Sequence, residues 1–421
     1  MRYLLLIAFI SFSLYSCEGN DHEKRPEQRK EFVHAPLEAL KPFPQAIAFN
    51  NCIKPNHISQ GQMNQDIIDY YYHWLRSYVR ESNGTTPGGG YYVKMLGTGG
   101  DGNEITTSEA HGYGMIIFAL MAGRIADAQK YFDGMLNMFD KHRSTGNPEC
   151  MSWLIHKTEE SRYDKGSATD GDMDIAYALL LADKQWGSEG AINYLEKART
   201  MISKGVRQSD MSSISKRSML GDWDTNNYSS RSSDWMTAHF RSYHAATSDE
   251  FWLAAADEVY QLIDALSTNY SSTTGLMPDF IVNKSPRPAT EYYLDEYKET
   301  DEYSWNACRY PWRISTDYAH FGTADAKRVM MKLQDFIIAS SDGEPSDIKA
   351  GYYLDGRPIN SYSSNAFTAP FVAASIVDPK YQVFLNKGWD VIKAEKESYY
   401  GDTIGLLNML LISGNWWNPA E

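Results

Sequence analysis

Hydrophobic residues recur at the 3.6-residue spacing of helices along most of the chain, and the alternation typical of strands is sparse. Some segments bury one face only: Ala128, Phe132, Met135 and Phe139 follow one another at intervals of four, three and four residues. The pattern predicts twelve helical segments, at residues 63–82, 109–122, 125–141, 170–187, 188–204, 233–245, 249–267, 314–321, 324–341, 365–376, 380–398 and 402–413.

Four of the even-numbered segments are apolar on nearly every face, within residues 115–122, 175–182, 366–374 and 406–412. A helix that is hydrophobic all round is buried inside a protein. Alternation between fully buried and half-buried helices predicts an all-α fold, an (α/α)6 barrel of six inner and six outer helices. An irregular helical bundle or a helical-repeat solenoid is the alternative, although the chain shows no fixed repeat period.

Three alternating carboxylates, Asp170, Asp172 and Asp174, lie directly before the apolar block that begins at Ile175. The helix dipole favours carboxylates in a first turn, so we expect a buried helix to begin near Asp170. Asp172 and Asp174 are expected to cap or brace it. A capped core helix without chemistry is a simpler interpretation. An EF-hand calcium loop fits poorly, because Ile175 replaces the required glycine.

A further carboxylate, Glu109, occupies the corresponding position at the start of another predicted inner helix. In a ring of parallel inner helices, Glu109 and Asp170 would face one shared mouth. Two carboxylates on one cleft are the apparatus of glycoside hydrolysis. By itself, Glu109 could equally be a first-turn carboxylate that only complements the helix dipole.

Three sequence blocks carry a family resemblance: Ser108-Glu109-x-x-Gly112-Tyr113-Gly114-Met115, Ala168-Thr169-Asp170-Gly171-Asp172 and Asn306-Ala307-Cys308-Arg309-x-Pro311-Trp312-Arg313. In this order and spacing they resemble glycoside hydrolase family 8, from about residue 40 to the C-terminus. The resemblance implies an (α/α)6 barrel and inverting, endo-acting hydrolysis of β-1,4-linked or mixed-linkage polysaccharides. β-Glucan, cellulose and xylan are the main candidate substrates, and chitosan is a further one.

The same resemblance implies that Glu109 is the general acid and that Asp170 positions the sugar and the attacking water. A general acid needs a raised pKa, whereas a helix N-terminus lowers the pKa of a carboxyl. Burial beneath a sugar or repulsion from Asp170 must therefore oppose the dipole at Glu109.

Asn306 occupies the position at which part of the family carries a catalytic aspartate, and an amide cannot accept a proton from water. In the branch with asparagine there, a glutamate from a preceding inserted loop is thought to be the general base, and Glu296 is favoured here by its distance from Asn306. The other loop candidates are Glu291, Asp295, Glu299 and Glu302. A solvated acidic loop is the simpler interpretation. A catalytically impaired glycan-binding protein, or a lyase or glycosidase of another family on the same barrel, is the functional alternative.

Aromatic residues make up 13% of the chain, with 11 Trp and 29 Tyr, and such rings either stack on sugars or pack a core. The residues expected to contact the substrate are Trp153, Trp235, Tyr113, Asn306, Arg309, Arg313 and Tyr352. Trp153 and Trp235 are favoured as stacking platforms. Arg309 and Arg313 would either bind sugar hydroxyls or hold the carboxylates, with structural ion pairing expected for at least one of them.

Residues 1–16 are typical of an export signal, and their junction with Cys17 resembles a bacterial lipobox. Cleavage would leave Cys17 as a lipid-bearing first residue, followed by a polar tether at residues 17–35 and a single catalytic barrel domain at residues 36–421. We therefore expect an exported protein, lipid-anchored to the bacterial outer membrane on the cell surface or the periplasmic face. Secretion without a lipid is the alternative.

The net charge of −14 argues against nucleic acid and anionic lipid as partners, and leaves polysaccharides or oligosaccharides. We expect membrane contact only through Cys17, no cofactor or metal, and a monomer. Cys52, Cys150 and Cys308 lack CxxC spacing, so neither a disulfide framework nor a zinc site is indicated. One disulfide among them is left open.

Overall fold

The computed structural model describes residues 39–50, 52–82, 90–95, 104–124, 127–156 and 166–421. In these ranges the predicted periodicity becomes twelve α-helices: Gln60–Tyr78 (α1), Ser108–Met121 (α2), Ala128–Lys141 (α3), Thr169–Trp186 (α4), Tyr194–Thr200 (α5), Thr237–Thr247 (α6), Phe251–Asn269 (α7), Tyr310–Phe321 (α8), Ala324–Ser340 (α9), Asn365–Ala374 (α10), Gln382–Ala394 (α11) and Tyr399–Ile412 (α12). The same ranges contain short strands at Val79–Glu81 (β1), Tyr91–Val93 (β2), Glu104–Thr107 (β3), Leu154–His156 (β4), Ser230–Arg231 (β5), Phe280–Val282 (β6) and Arg287–Pro288 (β7).

The even-numbered helices form the inner ring of the barrel. Helices α8 and α10 are buried along almost their whole length, because every side of them packs against other helices. The inner helices contact one another in chain order, and α12 returns to α2 to close the ring. Each odd-numbered helix packs outside an inner one, as α3 does when it buries Phe132, Met135 and Phe139. The predicted (α/α)6 barrel is confirmed.

Helices α2 and α4 approach each other closely because glycines lie where they meet. A Cβ atom on Gly112 would lie 2.5 Å from Cβ of Asp174, and one on Gly171 would lie 2.5 Å from Cβ of Ser108. No side chain fits at such separations, so this approach requires glycine. The start of α2, which carries Glu109, is thereby held next to the start of α4, which carries Asp170.

The N-terminal ends of the inner helices carry the loops and small sheets that form the mouth. Strand β3 runs directly into α2 and pairs antiparallel with β4. The Thr107 side chain caps α2 by accepting a hydrogen bond from the Ala110 N–H at 3.2 Å. Strands β5, β6 and β7 form an antiparallel sheet from two long polar segments of the sequence, residues 205–232 and 268–313.

Most helix boundaries differ from the sequence prediction by a few residues, and three of the differences have a clear physical meaning. Helix α4 begins at Thr169, and its N-cap is Ala168, which offers no capping side chain. The fifth predicted helix, 188–204, is shorter and continues as a π-helix at Met201–Asp210, a form that no hydrophobic period indicates. Helix α8 begins four residues earlier than expected, at Tyr310, because the following proline suits a first helical turn.

The described residues belong to one compact unit. Among the helices in this part of the chain, none has the length and apolar character needed to cross a bilayer. Cys52, Cys150 and Cys308 are free thiols, so the disulfide left open by the sequence does not form among them. The predicted signal peptide, Cys17 and the tether at 17–35 lie outside the described residues, and those boundaries stay predictions.

Candidate active site

Arg309 lies at the centre of the mouth, in the short 3-10 turn that precedes α8. Its side chain is only 2% exposed. Nη1 donates to Oε2 of Glu109 and to Oδ2 of Asp170, both at 2.7 Å. One guanidinium group therefore holds the first-turn carboxylates of α2 and α4 together.

Glu109 is the more accessible of these two carboxylates, with 20% of its side chain exposed against 5% for Asp170. The Tyr399 hydroxyl, from the start of α12, donates to its Oε1 at 2.9 Å. Burial raises the pKa of Glu109, Asp170 adds to this effect, and Arg309 and Tyr399 oppose it. Repulsion from Asp170, one of the two causes expected from the sequence, thus operates, and burial by the protein itself raises the pKa of Glu109 before any sugar covers the site.

Asp170 is kept ionised by two arginines. Burial opposes its ionisation, but Arg231 and Arg309 hold the pKa of Asp170 at about 2. Arg231, on β5, places Nη2 3.5 Å from Oδ1 of Asp170 and donates from Nε to Asp234 at 3.2 Å. The sequence pattern singled out neither Arg231 nor Tyr399. Tyr399 lies just before residue 402, where the sequence pattern places the start of its helix, and no sequence signal marks Arg231.

Asn306 connects Arg309 to the acidic loop. Arg309 Nη2 donates to Oδ1 of Asn306 at 3.0 Å, and Asn306 Nδ2 donates to Oε2 of Glu296 at 3.1 Å. Burial raises the pKa of Glu296, and Arg231, the bond from Asn306 and Arg309 oppose this. A chain of hydrogen bonds therefore runs from Glu296 through Asn306 and Arg309 to Glu109.

The other acidic side chains of the loop make different contacts among the described residues. Glu302 accepts a hydrogen bond from the Leu354 N–H at 2.5 Å, and Glu291 lies 3.8 Å from Lys298. Asp295 is exposed, and Glu299 is half-buried without a described bond to Asn306. Glu296 is thus the loop acid that the structure joins to Arg309 through Asn306.

A buried aspartate, Asp279, fixes the turn that carries Asn306. Its carboxylate accepts hydrogen bonds from three backbone N–H groups within residues 304–307, at 2.6 to 3.2 Å. The Tyr297 hydroxyl donates to the same carboxylate. Burial raises the pKa of Asp279 to about 7 against these donors. Because Tyr297 follows Glu296 in the chain, this contact also ties the acidic loop to the barrel.

Arg313 does not serve the substrate role that the sequence suggested. Its Nη1 and Nη2 donate to the two carboxylate oxygens of Asp174 at 2.8 and 2.6 Å, and its side chain is 1% exposed. His239 Nε2 also lies 2.9 Å from Asp174. Arg313 forms the structural ion pair expected for one of the two arginines, and Asp174 braces α4 against α8 as expected. Arg309 holds carboxylates.

Three aromatic residues predicted to touch sugar are instead packed inside. Trp235 is buried, donates from its indole N–H to Ser230 at 3.0 Å and packs edge-on against Tyr310. Tyr352 is buried against phenylalanine rings, and its hydroxyl accepts the Lys349 N–H. The buried hydroxyl of Tyr113 lies 3.2 Å from Arg309 Nη1. None of these rings has an open face, so Tyr113 supports Arg309 and the other two support the core.

Two tryptophans do lie at the mouth with part of their surface free. Trp153 is half-buried, and its carbonyl oxygen accepts the Ser108 N–H at the start of α2. Trp223 is 44% exposed, and its indole N–H donates to the Ser167 carbonyl at 3.1 Å, just before α4. Each ring is therefore anchored beside the helix start that carries one of the two bridged carboxylates. The described group with possible metal-ligand geometry, Cys150, Asp172 and Asp210, includes none of these site residues.

Comparisons with known proteins agree with this architecture. The model of the family "Glycosyl hydrolases family 8" matches residues 77–414. An endoglucanase of Bacillus sp. strain KSM-330 is 43% identical over 390 residues, covering 92% of this chain and 84% of that protein. A β-glucanase of Niallia circulans is 40% identical over 384 residues, covering 90% of this chain and 91% of the relative.

A solved structure is also similar. The apo structure of a β-1,3-1,4-glucanase from Paenibacillus sp. X4 superposes with a TM-score of 0.85 at 40% identity, covering 90% of this chain and 99% of that one. The family match spans most of the barrel and includes all three sequence blocks. The chain therefore belongs to glycoside hydrolase family 8.

Proposed function

We propose that this endo-acting glycoside hydrolase cleaves mixed-linkage β-1,3-1,4-glucan with inversion at the anomeric carbon. Glu109 protonates the glycosidic oxygen, Asp170 positions the sugar and the nucleophilic water, and Glu296 removes a proton from that water. The observation that carries the proposal is the bridging of Glu109 and Asp170 by Arg309, with Glu296 connected to the same guanidinium through Asn306.

Glu109 suits the role of the acid because its carboxyl is partly accessible and its surroundings favour the protonated form. Arg309 divides its charge between two carboxylates, so it neutralises neither completely. When a sugar covers the mouth, the remaining exposed part of Glu109 is desolvated as well, which raises its pKa further. The proton is then held beside the leaving oxygen until bond cleavage.

Asn306 suits a site whose base is elsewhere. Its amide accepts from Arg309 and donates to Glu296, whereas an ionised aspartate could only accept. An aspartate at this position would present a second negative charge to Glu296 instead of a donor. The absence of an aspartate at position 306 is therefore consistent with a base on another loop, and it is no longer a reason to infer an inactive glycan-binding protein.

The base assignment is tested with a pair of variants in the same loop. Glu296→Ala is expected to lower kcat on barley β-glucan by about 10³-fold, in the range of general-base loss, while Glu299→Ala stays within about threefold. Added azide should restore turnover of Glu296→Ala and give an α-glycosyl azide, identified by mass and NMR. The assignment is contradicted if Glu296→Ala turns over normally, or if Glu299→Ala loses activity instead.

Stereochemistry provides the test of the mechanism. Proton NMR during the first minutes of barley β-glucan hydrolysis should show the α-anomer before mutarotation, because inversion of a β-linkage creates an α-configured reducing end. The first appearance of the β-anomer would instead mean retention, and an unsaturated product would mean a lyase.

The substrate choice rests on the named relatives, a β-glucanase of Niallia circulans and a β-1,3-1,4-glucanase of Paenibacillus sp. X4. Trp153 and Trp223 are the rings we assign to sugar stacking. A panel of barley β-glucan, carboxymethyl cellulose, xylan and chitosan should give the highest kcat/KM on β-glucan. A higher value on any of the other three would reassign the substrate.

We also propose that the mature protein is anchored to the outer membrane through a lipid on Cys17. This follows from the lipobox-like junction in the sequence. Wild type expressed in a Gram-negative host should incorporate labelled palmitate and sediment with outer membranes. Cys17→Ala should lose both properties. A wild-type protein found unlabelled in the soluble fraction would refute the anchor.

A further inference from the structure

Three separate segments bring metal-ligand side chains together beside α4. Cys150 lies in the turn before β4, Asp172 in the first turn of α4, and Asp210 at the end of the π-helix Met201–Asp210. One ligand atom of each, the sulfur or a carboxylate oxygen, lies within 4.8 Å of the other two, and all three residues are buried. Because the ligands come from distant segments, sequence spacing gave no sign of this group.

One oxygen of the cluster has no partner among the described residues. Asp172 Oδ1 accepts the Met151 N–H at 2.8 Å, but no described group makes a geometric hydrogen bond to its fully buried Oδ2. Asp210 is better supplied, since Ser167 donates to one of its oxygens at 3.2 Å and the Cys150 thiol donates to the other at 3.7 Å. A buried carboxylate oxygen without a donor is costly, so Asp172 Oδ2 calls for a proton or a cation.

Among the described residues, the charges that act most strongly on the pair are negative. The ionised neighbour that acts most strongly on Asp172 is Asp210, and Asp222 adds to it; Asp222 and Asp234 act on Asp210. All of these are carboxylates. This contrasts with the mouth, where Arg309 and Arg231 face the carboxylates. A buried acidic pair of this kind is stabilised by a bound cation.

We propose that Cys150, Asp172 and Asp210 form a structural binding site for one divalent cation of the zinc class. The thiolate excludes calcium and magnesium, which take oxygen ligands, and suits zinc together with two carboxylate oxygens. Binding replaces the thiol proton, and any proton on the two carboxyls, with the metal, and those protons pass to solvent.

The surrounding backbone packs directly against this group. The π-helix places Ser209 and Asp210 on the same thiol, with the Ser209 hydroxyl 3.6 Å from Sγ. A Cβ on Gly205 would lie 3.2 Å from that sulfur, so the helix packs directly on Cys150. Ser167, which donates to Asp210, is positioned to hold a ligating carboxylate. The metal would tie the π-helix and the turn of Cys150 to α4, two residues beyond Asp170.

Metal content is the direct test. The full chain is produced with ZnCl2 present during folding, freed of loose metal by gel filtration, and assayed by elemental mass spectrometry. Wild type should retain about one zinc ion per chain, and Cys150→Ser at least about tenfold less. Cys52→Ser is the matched control, because it removes a thiol elsewhere and should keep the metal. Asp210→Asn provides a second variant in case Cys150→Ser misfolds.

Spectroscopy identifies the ligand independently of activity. Protein loaded with Co²⁺ should show a thiolate-to-cobalt charge-transfer band in wild type and Cys52→Ser, and none in Cys150→Ser. Added ZnCl2 should also raise the Tm of the first two proteins only. Wild type that retains no metal, or a band that persists in Cys150→Ser, overturns the proposal and leaves a cluster whose acids share a proton.

Discussion

Two arginine–aspartate pairs join α4 to the start of α8, and they behave differently. The upper pair is Arg309–Asp170, and the lower pair is Arg313–Asp174, four residues further along in each segment. Four residues are about one helical turn, so the lower pair lies one turn deeper. Asp174 has Arg313 to itself, with His239 beside it, and its pKa is lowered although burial opposes this.

The upper pair has no such balance. Arg309 serves Glu109 as well as Asp170, and Arg231 serves Asp234 as well as Asp170. A guanidinium that is shared leaves one carboxyl insufficiently stabilised as an anion, and Glu109 is that carboxyl. In this protein the arginine of the lower pair serves one carboxylate, whereas the arginine beside the proposed acid is shared by two.

The largest expected effect follows from removing the acid of the upper region. Glu109→Gln should lower kcat on barley β-glucan by about 10³-fold while preserving binding of oligosaccharides, because only proton transfer is lost. Steady-state kinetics and calorimetric binding measure the two quantities. A variant that keeps more than about a tenth of wild-type kcat would remove Glu109 from the mechanism.

Breaking the lower pair should instead affect stability. Arg313→Met leaves Asp174 buried without its cation and should reduce the free energy of unfolding by about 3–5 kcal/mol. Denaturant unfolding measures this, and kcat per folded molecule should change little. If Arg313→Met were as stable as wild type but inactive, the lower pair would belong to the catalytic site.

The pH dependence of activity, measured in wild type and in a variant of Asn306, tests the role of Glu296. Glu296 must be ionised and Glu109 protonated, so kcat/KM should rise as pH increases through the pKa of Glu296 and fall through that of Glu109. Asn306→Asp adds a negative charge beside Glu296, which should move the acidic limb up by about one pH unit. If the acidic limb did not move, the ionisation of Glu296 would not be what produces it. Activity in the double variant with Glu296→Ala would show that position 306 can act as base.

The smallest effect is expected from the aromatic rings. Trp153→Ala should raise KM about fivefold with little loss of stability, since a stacking contact is worth about 1 kcal/mol. Trp235→Ala should leave KM nearly unchanged and cost about 3–5 kcal/mol of folding free energy, because it empties part of the core. Kinetics and thermal unfolding of both proteins would reveal an exchange of these two roles.

The sequence predicts a buried helix well where that helix contains a run of apolar residues. Helices α2, α4, α10 and α12 each contain a nearly continuous apolar block, and the alternation of such helices with half-buried ones led to the barrel. Helices α6 and α8 were predicted less well, because buried polar residues such as His239 and Arg313 interrupt the hydrophobic pattern. Their partners, which make them tolerable in the interior, come from another helix and are invisible in a single segment.

The site was predictable to the extent that it lies at helix starts. Glu109 and Asp170 could be placed because each begins a buried helix, and the structure brings both to Arg309. The sequence does not show how deep each arginine lies. Arg313 follows Arg309 in the same motif, yet it lies one helical turn below the mouth, in the interior. Arg231 was missed because it comes from a short strand in a long polar segment.

The glycine contact between α2 and α4 has a consequence for engineering this barrel. The spacing between Glu109 and Asp170 is set by helices whose main chains touch, with no side chain available for adjustment. Glu296, the proposed base, by contrast lies on a loop attached to the barrel through Tyr297 and Asn306. Loop exchange should therefore retune the preferred polymer or relocate the base, whereas the wall formed by α2 and α4 must be inherited unchanged by any redesigned variant.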